Sequence, residues 1–359
     1  MMKTNLILPF VIMALAAIGC KKYKQEDNPP TQPPTEKKAV VTTIAGDGAA
    51  AFSDGPALSS KFKVPFDVAV AIDGTIYVAD ASNRRIRKIR DGQVSTFAGN
   101  GTNGIVNANG SLAQFKNPYL LALDGNGNLF TLDISDPRIR KVSPAAVVST
   151  YAGTATPGFA DGLAATAQFR ASEGGIVADA EGNIYVADFN NQRIRKISIA
   201  GQVTTIAGTG VSGFKNDNGE KAQFNNPGGI VIDKSGNLYV ADGLNYRIRK
   251  ITPNGQVSTF AGSGTPGNTD GSAAVAQFIY VSDIVIDAKG NLYVTDDNRI
   301  RKISQLGVVS TIAGSDAGYA DGDGASAKFD SPTGLGIDAQ GNIYVADAAN
   351  NRIRKISFE

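Results

Sequence analysis

One string recurs along this chain at nearly constant spacing, and no other feature restricts the fold as much. RIRKI begins at Arg85, Arg193, Arg247, Arg299 and Arg352, and RIRKV begins at Arg138, with successive spacings of 53, 55, 54, 52 and 53 residues. Before five of these copies stands IYVAD or a close variant, carrying Tyr77, Tyr185, Tyr239, Tyr293 and Tyr344, with Phe130 in the remaining copy. A short apolar run ending in aspartate precedes that, as in Ile230-Val231-Ile232-Asp233, and a run such as QVTTIAG closes each unit. Each unit therefore reads as four short runs rich in β-branched and aromatic residues, separated by Gly, Asn and Asp turns. That pattern predicts a four-stranded antiparallel meander, whose strands are called a, b, c and d in chain order. An isolated meander leaves edges and one-sided cores exposed, and radial packing of such units into a ring removes both problems.

Counting the runs predicts how the ring closes. Six a-b-c sets are present, and the chain ends just after the sixth c run, at Glu359. A surplus d-type run, Val40 to Gly46, precedes the first a run, so the N-terminal strand must complete the last blade. The expected fold is an all-β, six-bladed β-propeller of four-stranded antiparallel blades spanning residues 40–359.

The residues that recur also carry a resemblance. The pattern N-P-x-G-I-x-x-D, G-N-x-Y-V-A-D, N-x-R-I-R-K-I resembles the NHL repeat, a family of β-propeller modules, over Val40 to Glu359. The resemblance implies the propeller and leaves function open, because such propellers include protein, RNA and ligand binders and a few enzymes. The units here are longer than is usual for that family, with the surplus in the d-to-a connections.

Residues 1–19 read as a signal peptide: Lys3 is followed by an apolar run from Leu6 to Ile18, too short for a good membrane span. The run ends in Ala17-Ile18-Gly19-Cys20, which resembles the lipobox of bacterial lipoproteins and implies acylation of Cys20, the sole cysteine. Residues 20–39 then form a Pro-rich tether, with about 25 Å of random-coil reach. The expected location is outside the cytoplasm, lipid-anchored to a bacterial membrane and most simply the outer one. Contact with the membrane would be through lipid only.

Composition excludes several chemistries. Net charge is +2, from 35 basic and 33 acidic side chains, which removes the long-range field that nonspecific nucleic-acid binding needs. Histidine is absent, so there is no Ser-His-Asp triad, Cys-His pair or histidine metal site. Propeller amidating lyases and streptogramin-type lyases depend on histidine and are poor models. Gluconolactonase-like propellers use a divalent metal held by carboxylate and amide oxygens at the central mouth, and that chemistry stays open.

Symmetry separates fold from function. Residues repeated in all six units are read as blade geometry: the b-strand aspartates, each expected to bridge the first arginine of its RIRK string, and the AQF phenylalanines (Phe62, Phe115, Phe169, Phe224, Phe278 and Phe329). The remaining RIRK cations are expected to lay their stems on the core with their tips in water. Symmetry-breaking residues on the face carrying the d–a and b–c loops are the site candidates. For a ligand these are Phe66, Tyr119, Phe189, Tyr246 and Tyr280; for a divalent cation such as calcium they are Asp67, Glu173 and Asp283. The expected role is a monomeric binding or scaffold module for a protein or carbohydrate ligand on the cell envelope, with no cofactor and no evident catalytic machinery. The alternatives are a carboxylate-metal hydrolase or lactonase, and a structural spacer in an envelope assembly.

Overall fold

A computed structural model describes residues 37–170 and 173–359. Cys20 and the segment ahead of Lys37 lie outside the described residues. The rest forms six antiparallel sheets of four or five strands in a propeller. In blade one, strand a is Pro65–Val70, b is Ile76–Asp80, c is Arg85–Arg90 and d is Gln93–Ala98. Blade six has a at Pro332–Ile337, b at Ile343–Asp347 and c at Arg352–Phe358, and the N-terminal strand Ala39–Ala45 supplies its d strand. The closing register pairs Ala39 with Phe358 and Thr43 with Arg354. Lys38 and Glu359 then exchange two backbone hydrogen bonds of 2.8 and 3.0 Å where the other blades have a c–d turn.

The core is divided among the blade interfaces. Each of six apolar clusters joins the facing sides of two neighbouring blades, and each holds one AQF phenylalanine. Phe224, for example, lies between Ala187 and Ile194 of blade three and Ile230 and Val240 of blade four. All six phenylalanines are fully buried, as their repetition predicted. A glycine ends every d strand because the chain turns tightly there: Gly99 has φ +98°, and a Cβ on it would sit 2.5 Å from the Arg84 carbonyl oxygen.

The arginines depart from expectation. In five of the six blades the aspartate ending strand b does not bond the first arginine of its RIRK string but the second, two residues further on; in blade two Asp133 instead accepts the backbone amides of Lys116 and Asn117. Asp80 meets Arg87 at 2.7 Å, Asp188 meets Arg195 at 2.8 Å and Asp347 meets Arg354 at 2.6 Å. These second arginines have no water at their tips; Arg87, Arg140, Arg195, Arg249, Arg301 and Arg354 are all fully buried. The reason lies in the d–a connection, which folds back across the outside of the blade and adds a second acid. Asp54, Asp161, Asp270 and Asp321 each bond the arginine of their own blade at 2.5–2.8 Å. The first arginines of blades one, three, four and six instead donate to backbone carbonyls, while Arg138 bonds Asp136 and Arg299 pairs with Asp297. Arg193 reaches Asn191 and Thr209, and its guanidinium lies 3.8 Å from the centre of the Phe159 ring. The long connections are thus lashed to the blades, and the mouth they surround is set by fixed elements.

Candidate functional site

The a strands line the propeller axis, and their N-terminal ends open on the face that carries the d–a and b–c loops. A cavity of about 310 Å³ occupies this mouth. Phe66 and Tyr119, second residues of the a strands of blades one and two, enter it as a stacked pair with ring centres 3.3 Å apart and planes inclined by 23°. Tyr280, just ahead of the blade-five a strand, lines it from that side, and Glu173 from the entrance of blade three. The Thr333 hydroxyl donates to the Phe66 carbonyl at 2.6 Å. Thr295 donates to the Thr333 carbonyl at 2.9 Å and accepts from the Asp283 amide at 3.0 Å. This chain of bonds fixes the wall between blades five, six and one.

Electrostatics shows which side chains converge. Burial raises the Tyr119 hydroxyl pKa, and the neighbouring Glu173 carboxylate and Tyr280 raise it further. Tyr280 is raised by burial and then by Glu173. One exposed acid therefore acts on two tyrosines that belong to different blades.

Beneath the mouth, Asp67, Leu120, Gly175, Gly229, Asp283 and Gly334 occupy equivalent positions of the six blades around the axis. Asp67 accepts the Val68 and Leu121 amides, both at 2.7 Å, and Asp283 accepts the Leu335 amide at 2.7 Å. Each acid reaches forward to the next blade and fits because the preceding blade offers glycine at this level. A Cβ on Gly334 would fall 2.5 Å from the Asp67 Cα, and one on Gly229 would fall 2.6 Å from the Asp283 Cα. Burial raises both carboxyl pKa values, Asp283 to about 7, and the charge of Asp283 adds to the rise at Asp67.

The candidates from sequence thus divide. Phe66, Tyr119, Tyr280 and Glu173 share the cavity, with Asp283 at its base. Asp67 lies deeper, along the axial channel. Phe189 is buried at 6% exposure in the turn Phe189–Asn191, and Tyr246 closes the turn Gly243–Asn245 with φ +54°; neither lines the cavity. As a metal centre the acids do not fit, because both Asp67 oxygens accept backbone amides, and no three His, Cys, Asp or Glu converge among the described residues. Asp297 and Ser282 also line the mouth and were missed. The signal for Asp297 was present: blade five has the shortest gap between its b-strand aspartate, Asp296, and the following Arg299, and Asp297 stands in that shortened turn.

Six blades of four or five strands around an axial channel, closed by the strand Ala39–Ala45, define a six-bladed β-propeller. Segments 174–197, 224–251 and 329–356 of this propeller match the NHL repeat. Mouse teneurin-3 is 28% identical over 379 residues, covering 90% of this chain. The chain spans 14% of the teneurin's length and 22% of another curated relative's. Among solved structures, a structural genomics protein of unknown function from Bacteroides thetaiotaomicron superposes with a TM-score of 0.69 at 22% identity. That match covers 90% of this chain and 77% of the other. An auxiliary nutrient binding protein from the same organism gives 0.68 at 17% identity, with the same coverage.

Proposed function

We propose that this chain is a lipid-anchored, extracytoplasmic binding propeller that holds a small solute in the mouth of its axial channel. The observation that carries the reading is the cavity itself. Its volume is at the small end of ligand pockets, and Phe66, Tyr119 and Tyr280 are not repeated in the other blades. Clustered, symmetry-breaking aromatics on a rigid ring provide contact area at low entropic cost, which a purely structural spacer does not need. The nutrient-binding protein from Bacteroides thetaiotaomicron, similar in fold, is in keeping with this role.

Anchoring would occur through acylated Cys20, on the bacterial outer membrane. Lys38 pairs with Glu359 at the c–d turn end of blade six, which is the end of the blade opposite the mouth. Cys20→Ala should release the protein from membranes or leave it unprocessed, and a wild-type mass with a free thiol would contradict the anchor.

The binding reading is tested by purifying the full chain from its native envelope in mild detergent and analysing released solutes by mass spectrometry. Wild type should retain a solute that the Tyr119→Ala, Tyr280→Ala double variant does not. Identical solute profiles from both proteins would contradict the reading.

A further inference from the structure

We infer that the solute taken by the mouth is a small organic cation, an amine or quaternary ammonium compound, held between the aromatic rings and Glu173. The inference rests on the reading that the mouth is the ligand site, and it adds the sign and class of the ligand.

The first ground is the polarity of the lining. Glu173, Asp283 and Asp297 line the cavity, and among the described residues no lysine or arginine does. Asp297 is engaged by Arg299 at 3.8 Å, and the Asp283 carboxyl is buried and bonded to the Leu335 amide. Glu173 is exposed and has no ion pair among the described residues. An anionic solute would meet these carboxylates without a compensating cation. A cationic one would satisfy Glu173 and favour the ionised form of Asp283.

The second ground is how this chain treats its other exposed rings. Phe52, Phe159, Phe214 and Tyr319 lie on the outer loops, and each is capped by an arginine of its own blade at 3.8–4.0 Å. Phe66, Tyr119 and Tyr280 have no such cation over them among the described residues, although they stand beside a carboxylate that acts on both tyrosines. A ring face attracts a cation through its quadrupole, and most strongly where water is partly excluded. Rings left uncapped beside an unpaired acid are complementary to a cation supplied from solution. A cavity of about 310 Å³ limits that cation to a small molecule.

The test uses the full chain and isothermal titration with choline, tetramethylammonium and butylamine. Beside them runs 3,3-dimethylbutan-1-ol, which has the shape of choline with carbon in place of the charged nitrogen. Choline should bind at least about tenfold tighter than this alcohol, since removing the charge removes the ring and carboxylate attraction. Glu173→Gln should shrink that preference to about threefold or less without lowering the melting temperature, because Glu173 is exposed. Tyr280→Ala should weaken choline and the alcohol together. Equal binding of choline and the alcohol, with both weakened by Tyr119→Ala and Tyr280→Ala, would overturn the cation and leave the site standing. Binding that is indifferent to both tyrosines would remove the site as well. Absence of binding by all three cations at millimolar concentration would refute the inference outright.

Discussion

Arg195 Nη1 lies 2.8 Å from Asp188 Oδ2 with both side chains fully buried, and its Nη2 meets Asp161 Oδ1 at 2.6 Å. Asp188 also accepts the Asn191 side chain and the Arg170 amide, so strand b, strand c, the b–c turn and the d–a loop meet at one carboxylate. Asp188→Ala should therefore destabilise the domain by about 3–5 kcal/mol, because it leaves a buried guanidinium short of its charge partner. Arg193→Ala, which removes bonds to two carbonyls from a partly exposed side chain, should cost about 1 kcal/mol. Chemical denaturation of both variants decides this, and equal losses would show that the buried clamp does not dominate.

The same clamp is incomplete in two blades. Where blades one, three, five and six place an aspartate against both Nε and Nη2 of the arginine, blades two and four place Asn107 and Asn216, which bond Nη2 only. Arg140 Nε and Arg249 Nε are left without a hydrogen bond. Arg249 still meets Asp242 at 2.5 Å, whereas Arg140 has no directly bonded carboxylate among the described residues. Asn107→Asp should accordingly stabilise the protein by about 1–2 kcal/mol, and Asn216→Asp by less. A melting temperature unchanged or lowered in Asn107→Asp would count against this account of the clamp.

Ring closure rests on the strand Ala39–Ala45. Its removal strips Val41 and Ala45, both fully buried, from the last blade and exposes the whole edge of Arg352–Phe358. Deletion of residues 39–45 should lower stability by several kcal/mol and promote association through the new edge. Light scattering and thermal melts would show this, and a monomer of unchanged melting temperature would refute closure by this strand.

The axial acids predict a pH dependence with a defined sign. Asp67 and Asp283 have raised pKa values when folded, from burial and, at Asp67, from the charge of Asp283. An unfolded aspartate titrates near about 3.9, so below that pH both states hold these protons and the pair favours folding fully. As pH rises towards about 7, the value for Asp283, the unfolded chain releases its protons first and that stability is lost. Asp283→Asn should flatten the decline in melting temperature between about pH 4 and pH 7. Parallel curves for wild type and variant would mean that the pair holds no excess protons.

Much of the scaffold was legible because the repeat states it six times: the period gives the blades, the surplus run gives the closure, and the AQF phenylalanines give the interfaces. The clamp was misread for a physical reason. Asp188 and Arg193 face each other in the strand register, so sequence proximity selected Arg193. The backbone at Arg193 sits at the loop end, where carbonyls are within reach, and the deeper Arg195 takes the carboxylate. The second acid, Asp161, comes from 34 residues earlier. Its trace is the Asp-Gly that recurs in the loops at Asp54, Asp161, Asp270 and Asp321. At the mouth, broken symmetry picked out Phe66, Tyr119, Tyr280 and Glu173, but it could not rank them against Phe189, because burial of a loop aromatic depends on how neighbouring blades pack.

The central claim is that this propeller works through its mouth, and a crystal structure of the full chain grown with its co-purified solute tests it most directly. The account predicts electron density for the solute against Phe66, Tyr119 and Tyr280 with Glu173 at its charged group. Density on the c–d turn face or along the blade sides, with the mouth filled by water alone, would contradict it.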